Sequence, residues 1–347
     1  MKGSELCGIA KMVGSIWDVS LAHLAEMRCV HVSQAGVLTV KSGFVSVQVP
    51  VPGLLERGDA SISVPHFIQV FGNLDSGSEY RIVRHSGKLV LQENGRNILT
   101  FTDGNVTPVG MLMSESDSVQ SVRVFDSSVI QALSAVVEFA GMKEVEPFFR
   151  GVHFSDGCLI ALDRYRLINM QVDYDVEISI FESAVHKLIA LFRDRDVQEV
   201  LVTPRVLRVV AGDGLIADVM LLQRNEEKLR MVKEISAGGE GVRIEVSAGL
   251  LERLSRICEW IGWARKLIFD FECVGGNLTI RGGADVGLDI EDTLPVNATG
   301  DFKFSVWMSE LVELLVKVTI AAMEVKERVL YVRSMDNRVQ GYLVRLG

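Results

Sequence analysis

Five times along the chain an alternating apolar triplet runs straight into an amphipathic helical pattern. Ile62-Ser63-Val64 precedes PHFIQVFGNL, Val122-Arg123-Val124 precedes FDSSVIQALSAVVEFAG, and Ile178-Ser179-Ile180 precedes FESAVHKLIALF. Ile244-Glu245-Val246 precedes SAGLLERLSRICEWIG, and Phe304-Ser305-Val306 precedes WMSELVELLVKV. Each is a half-buried strand of period two that switches to a helix of period 3.6. A helix-start residue marks each switch: Pro65, Ser127, Ser183, Ser247 and Ser309. A sixth, weaker helix is predicted over residues 15–28.

A second recurring pattern is a polar or glycine turn followed by a short apolar strand. These strands are VLTV, KLVL, CLIA, VLRV, NLTI and VLYV, anchored on Leu38, Leu89, Leu159, Leu207, Leu278 and Leu330. The gaps between successive anchors are 51, 70, 48, 71 and 52 residues, alternately short and long. Alternate anchors lie 121, 118, 119 and 123 residues apart. Six units are therefore grouped as three pairs, a repeat of ordinary domain size. The predicted fold class is α+β: three similar domains, each a doubled strand–helix–strands unit with helices on one face of antiparallel sheets. Polar, turn-rich stretches at 102–118 and 223–240 are taken as linkers, giving domains 1–117, 118–224 and 225–347.

Composition narrows the possibilities. The 347 residues carry a formal net charge of −9, which argues against ordinary tight wrapping of nucleic acid. The cysteines, at 7, 29, 158, 258 and 273, form no CxxC pair and are expected as reduced thiols in a cytoplasmic protein. The six histidines show no metal-ligand spacing, and no cofactor is expected. Walker A, GxGxxG, HExxH and GxSxG motifs are absent from the sequence. An enzyme is therefore not expected. The apolar run 306–323 is interrupted by Glu310, Glu313 and Lys317, a poor membrane span, and the opening residues lack the apolar core of a signal peptide.

Three domains of doubled strand–helix–strand units in a chain of this length resemble the bacterial beta sliding clamp, the beta subunit of DNA polymerase III. Three segments carry the likeness. Ala161-Leu162-Asp163-Arg164-Tyr165-Arg166-Leu167 resembles the family's A-T-D-G-H-R-L segment, keeping Asp163, Arg166 and Leu167 while Leu162, Arg164 and Tyr165 replace Thr, Gly and His. The chain ends Tyr342-Leu343-Val344-Arg345-Leu346-Gly347, similar to the family's M-P-M-R-L with one extra glycine. Residues 62–91 resemble the second unit of the family's first domain.

The resemblance implies a homodimeric ring, helices lining the hole and sheets outside, that encircles double-stranded DNA without reading its sequence. Its implied partners are a DNA polymerase and a clamp loader. Topological closure removes the need for tight contact, which reconciles an acidic chain with DNA. DNA-facing positions would be Lys143, Lys187, Arg193, Arg195, Arg253, Arg256, Arg265 and Lys266, although each could equally sit on an ordinary solvated helix face. The resemblance also implies a client-peptide groove between the second and third domains. It would be formed by Phe149, Leu162, Arg164, Tyr165, Arg166, Leu167, Tyr342, Leu343, Val344, Arg345 and Leu346, with Leu229 and Met231 contributing. For Phe149, Leu167 and Val344 plain core packing is the alternative, and for Arg166 and Arg345 surface charge. A dimer interface is implied at Leu99, Phe101, Trp260 and Ile261. The competing functional expectation is a clamp-like scaffold or decoy that binds replication proteins without encircling DNA.

Overall fold

The computed structural model describes residues 1–21, 23–24, 27–104, 110–114, 119–122, 127–174, 176–237, 241–262, 267–283, 287–318, 320–326, 329–334, 336 and 338–345. The 23 strands among the described residues fall into six sets of one plan: three consecutive antiparallel strands, with a further strand on the outside of the first in five of them.

In the first set, β1 (Cys29–Val32), β2 (Val37–Ser42) and β3 (Val45–Pro50) form a meander and β4 (Ala60–Ser63) pairs with β1. The second set is β5 (Tyr80–His85), β6 (Lys88–Glu93) and β7 (Arg96–Phe101). Its outer strand is reduced to one bridge, Lys2 to Glu79. The third set joins β8 (Gln120–Val122) to β13 (Val197–Val202), β14 (Val206–Ala211) and β15 (Ile216–Met220). The fourth comprises β9 (Gly151–Ser155), β10 (Cys158–Leu162), β11 (Arg166–Gln171) and β12 (Ser179–Phe181). In the fifth, β16 (Val242–Glu245) flanks β21 (Ile320–Val325), β22 (Val329–Ser334) and β23 (Val339–Val344). In the sixth, β20 (Phe302–Trp307) flanks β17 (Ile268–Val274), β18 (Asn277–Gly282) and β19 (Ile290–Pro295).

The six anchor leucines all lie on the middle strand of a meander, and all six side chains are fully buried at 0% exposure. Each contributes about 1.5–3 kcal/mol relative to an exposed position, so the spacing in the sequence is the spacing of the core. A helix follows the outer strand of every set: α1 (Gly3–Ile16), α2 (Val64–Phe71), α3 (Ser127–Val136), α4 (Glu182–Phe192), α6 (Ala248–Ile261) and α7 (Met308–Val318). Ser247 caps α6 by accepting a hydrogen bond from the Leu250 amide at 3.1 Å, and Pro65 sits in the first turn of α2. Ser183 and Ser309 fall inside the first turns of α4 and α7 rather than at their caps.

Two expectations are corrected. The N-terminal helix runs over Gly3–Ile16, not 15–28. Its apolar face is Leu6, Ala10, Val13 and Ile16, at helical spacing, and it follows the Lys2 bridge as the other helices follow strands. The stretch 223–240 is not simply a linker: α5 (Glu226–Ala237) occupies most of it, with Leu229 and Val232 buried.

Packing divides the chain into two compact units, Met1–Ser134 with Ile180–Leu222, and Ala135–Ser179 with Gln223–Gly347. They cut across the sequence repeat because each is organised around an eight-stranded sheet made of two sets joined edge to edge. In the first unit, β3 pairs antiparallel with β15, matching Val45 to Val219 and Val47 to Ala217. Beside this seam the two-residue turn Gly43-Phe44 places the Phe44 ring on Phe181, centroids 4.3 Å apart and interplanar angle 10°. The Met220 amide donates to the Phe44 carbonyl at 2.8 Å. Lys187, in the second turn of α4, donates to the Ser42 carbonyl at 2.9 Å and to its hydroxyl at 3.1 Å. The carboxylate of Asp218, fully buried on β15, pairs with Arg208 at 2.6 Å and accepts from the Met113 amide at 2.8 Å.

Candidate functional site

The second eight-stranded sheet has the same kind of seam, between β11 and β23, with Leu167 opposite Tyr342 and Arg166 opposite Leu343. Register carries one row across four strands: Leu162 opposite Leu167, Leu167 opposite Tyr342, and Tyr342 opposite Tyr331. Directly opposed residues share a face, so this row makes an apolar floor. Phe148, Ile160, Leu229 and Val232 pack into the same cluster.

A cavity of about 300 Å³ opens over that floor. Phe148 and Phe149 form one wall, meeting edge to face at 5.7 Å. Another is the α5 face bearing Lys228, Met231 and Val232, positions three and four apart that share one side of a helix. Val329 and Val344 complete the apolar lining.

The rim is the turn between β10 and β11. Asp163 holds it by accepting from the amides of Tyr165 and Arg166, both at 2.8 Å. Asp163 also pairs with the Arg166 guanidinium, whose other arm reaches Glu313 of α7 at 2.9 Å. Burial alone would lower the Arg166 pKa; the facing carboxylates of Asp163 and Glu313 outweigh it, and the guanidinium stays firmly charged. The Tyr165 ring meets Trp307 edge-on at 4.4 Å, and the Val344 amide donates to the Tyr165 carbonyl at 2.8 Å. Arg164 lies outward on Glu144 at 2.8 Å.

Behind the Phe148 wall, His153 is fully buried. Its Nε2 donates to the Phe148 carbonyl at 3.0 Å, so Nδ1 accepts from the Ser179 hydroxyl at 2.8 Å. The imidazole also stacks on the Phe148 ring at 4.6 Å. Burial pushes its pKa down to about 4. The imidazole is therefore a neutral strut for the wall.

Of the residues expected in a groove, Phe149, Leu162, Arg164, Tyr165, Arg166, Leu167, Met231, Tyr342 and Val344 line this cavity together. Leu229 lies in the cluster beneath it. Leu343, one residue out of phase with Tyr342, is buried and does not line the cavity. Arg345 does not line it either: its guanidinium donates to the carbonyls of Lys326 and Lys303. Leu346 lies outside the described residues. Sequence reasoning missed Phe148, Asp163, Lys228, Val232 and Val329. The spacing of Lys228, Met231 and Val232 was a usable signal once 226–237 was seen as helix.

The expected DNA-facing cations are scattered and mostly engaged. Lys187 is held in the first seam and its pKa is lowered by burial, against the pull of Asp18; it is a structural lysine. Arg195 pairs with Asp213 at 2.9 Å, Arg253 with Asp292 at 3.4 Å and Arg256 with Glu252 at 2.7 Å. Lys143 and Arg193 are exposed, and Arg265 and Lys266 lie outside the described residues. Of the expected dimer residues, Leu99 and Trp260 are exposed, whereas Phe101 and Ile261 are buried within their own units. Among the described residues no cluster of metal-ligating side chains occurs, and no helix is long and apolar enough to cross a membrane.

Neither protein-family models nor curated protein sequences match the chain. Solved structures do. The DNA polymerase III subunit beta of Pseudomonas aeruginosa superposes with a TM-score of 0.80 at 14% identity, covering 100% of this chain and 98% of its own. A putative DNA polymerase III beta subunit from Eubacterium rectale gives 0.82 at 10% identity, and the DNA polymerase sliding clamp of Caulobacter crescentus 0.83 at 12%, with the same coverage. Six repeated sets, two edge-to-edge seams and full-length superposition lead to one conclusion: this chain has the fold of the bacterial DNA sliding clamps, at low sequence identity.

Proposed function

We propose that the protein is a DNA sliding clamp, a homodimeric ring around duplex DNA that tethers a polymerase and other clients through the β11–β23 groove. One observation carries the reading. In the four strand sets that are joined, the joining strand is the last strand of the meander. Two such pairs, β3 with β15 and β11 with β23, are made within the chain, and the two left over, β7 and β19, each end a smaller sheet. A third seam between β7 of one copy and β19 of another would repeat the plan and cover both edges, which are otherwise open to unwanted pairing. Trp260, 60% exposed in the last turn of α6, would be covered with it.

In this reading the domains are 1–117, 118–224 and 225–347, and the protein is not an enzyme. Its work is mechanical: closure holds DNA, while the groove holds clients. Helix cations already balanced by Asp213, Asp292 and Glu252 give a weak field, compatible with sliding rather than gripping. Replication would place the protein in the cytoplasm with a clamp loader as a further partner.

The test is retention on DNA of defined topology. Protein placed by a clamp loader on nicked circular duplex should stay bound through gel filtration and be lost when the circle is linearised. Equal retention on both forms would mean surface binding and reject a ring. Association with neither form, in the presence of groove-dependent client binding, would favour the scaffold reading.

A further inference from the structure

The cavity is apolar, yet four charged side chains stand on its lining: Asp163, Arg164, Arg166 and Lys228. Asp163 and Arg166 neutralise each other, with side chains only 15% and 14% exposed, and are locked into the turn and onto α7. Arg164 and Lys228 differ. Arg164 is 61% exposed and paired with Glu144; Lys228 is 35% exposed, paired with Glu146, and lies over the rings of Phe148 and Phe149 at 5.7 and 5.8 Å. Both balancing carboxylates come from one short segment, Glu144-Val145-Glu146.

That segment belongs to a loop continuous with the cavity wall. Its base is closed by the Gly141 amide on the Phe149 carbonyl at 2.6 Å, and it turns through the Glu144 amide on the Gly141 carbonyl at 2.9 Å. Val145 at its tip is 90% exposed. The loop thus contributes carboxylates, not apolar anchors: it satisfies the rim cations while leaving the floor open. Glu144 is 17% exposed and Glu146 42%, so both pairs keep one face in solvent, which screens them and leaves each a modest contribution to stability. They exchange readily for an equivalent carboxylate.

Resting on the reading of this cavity as a client groove, we propose that it selects peptides whose apolar anchors are flanked by carboxylates, which take Arg164 and Lys228 from Glu144 and Glu146. The 144–146 segment is then a built-in competitor. Neutral apolar peptides leave the internal pairs intact and gain nothing from the rim, whereas acidic ones must displace Glu144 and Glu146, which trims their advantage. Arg164 and Lys228 are the specificity-determining cations, and basic peptides are rejected at the same positions.

The experiment uses two sets of fluorescently labelled peptides with varied leucine- and phenylalanine-containing cores, identical except for Asp or Glu against Asn or Gln at flanking positions. Affinities for the full-length protein are measured by polarisation. The acidic set should bind more tightly, by about fivefold for each rim cation engaged. Arg164→Gln and Lys228→Gln should each remove their share of that preference, read as the ratio of acidic-set to neutral-set affinity within each variant. Glu144→Gln and Glu146→Gln should tighten the acidic set alone, and all four variants should keep the wild-type melting temperature to within a few degrees. Equal binding of both sets, or glutamate variants that leave acidic peptides unaffected, would overturn the proposal while leaving the groove. Absence of binding by every peptide in both sets would overturn the groove reading itself.

Discussion

The two seams of this chain are built to one plan and differ in what stands beside them. At each, a turn aromatic meets the aromatic residue that ends the strand before a helix: Phe44 with Phe181 in one unit, Tyr165 with Trp307 in the other. At each, the carbonyl of that turn aromatic accepts from the far strand, from Met220 or from Val344. At each, the helix residue six positions beyond the second aromatic reaches back, Lys187 to Ser42 and Glu313 to Arg166. The difference lies in the turn. Ser42 pairs with Val45, leaving two residues between them, whereas Leu162 pairs with Leu167 and leaves four. The longer turn supplies Asp163, Arg164 and Arg166, and changes a stacked aromatic pair into an edge-on contact beside a cavity. Two added residues give the second joint a charged cavity rim that the first joint lacks. The lesson is that a loop of different length on a repeated internal geometry is enough to create a cavity rim, with no change of fold.

The largest break in this comparison should come from the first seam's buried charge. Asp218→Ala leaves Arg208 without its carboxylate and frees the Met113 amide, and should cost about 3–5 kcal/mol in chemical denaturation. A loss below 1 kcal/mol would show that the seam does not depend on it. Next, lowering the pH should weaken the second seam's wall through His153. The imidazole is neutral and buried when folded, with a pKa of about 4 against 6.5 unfolded. Its contribution is complete above pH 6.5, falls as pH drops, and is gone below about 4. The span is worth about 3 kcal/mol. His153→Phe should flatten the stability profile between pH 6.5 and 4, and an unchanged slope would reassign the acid sensitivity.

Smaller effects sharpen the contrast. Phe44→Ala should destabilise by about 2 kcal/mol, from lost burial and stacking. Tyr165→Ala, at a ring 37% exposed, should cost about 1 kcal/mol in stability yet abolish most client-peptide binding. Equal stability losses with peptide binding intact would erase the functional distinction between the seams. Trp260→Asp should leave monomer stability within about 0.5 kcal/mol while lowering the native mass to that of a single chain; a retained dimer would place the interface elsewhere.

Much of this was legible in the sequence. The leucine spacing found all six meanders because a fully buried strand centre tolerates little else, and the strand-to-helix switches found five helices. The first helix was mislaid because its leading strand has shrunk to the Lys2 bridge, and because Gly8 and Gly14 interrupt its pattern. The α5 helix was hidden by the polar residues at its start and by the glycines after it. The seams could not be read at all: Val45 and Val219 are matched by hydrogen bonds over a long separation, and nothing local encodes that register. Seven cavity residues, Leu162, Arg164, Tyr165, Arg166, Leu167, Tyr342 and Val344, were found in segments that resemble family motifs, whereas Lys228 and Val232 depended on a helix that had gone unseen.

Of the edge strands among the described residues, β7 and β19, the two last-of-meander strands not joined within the chain, differ from each other in sequence and charge. A joint between unlike edges is heterologous, so every addition that uses one edge regenerates the other. Such a joint specifies a neighbour but not a number. If the arc subtended by one copy returns the chain of copies to its start, assembly terminates as a closed body; if it overshoots, the same chemistry grows a filament. Stoichiometry would then be a property of curvature, and a substitution far from either edge could turn a discrete particle into a fibre without altering one contact at the joint.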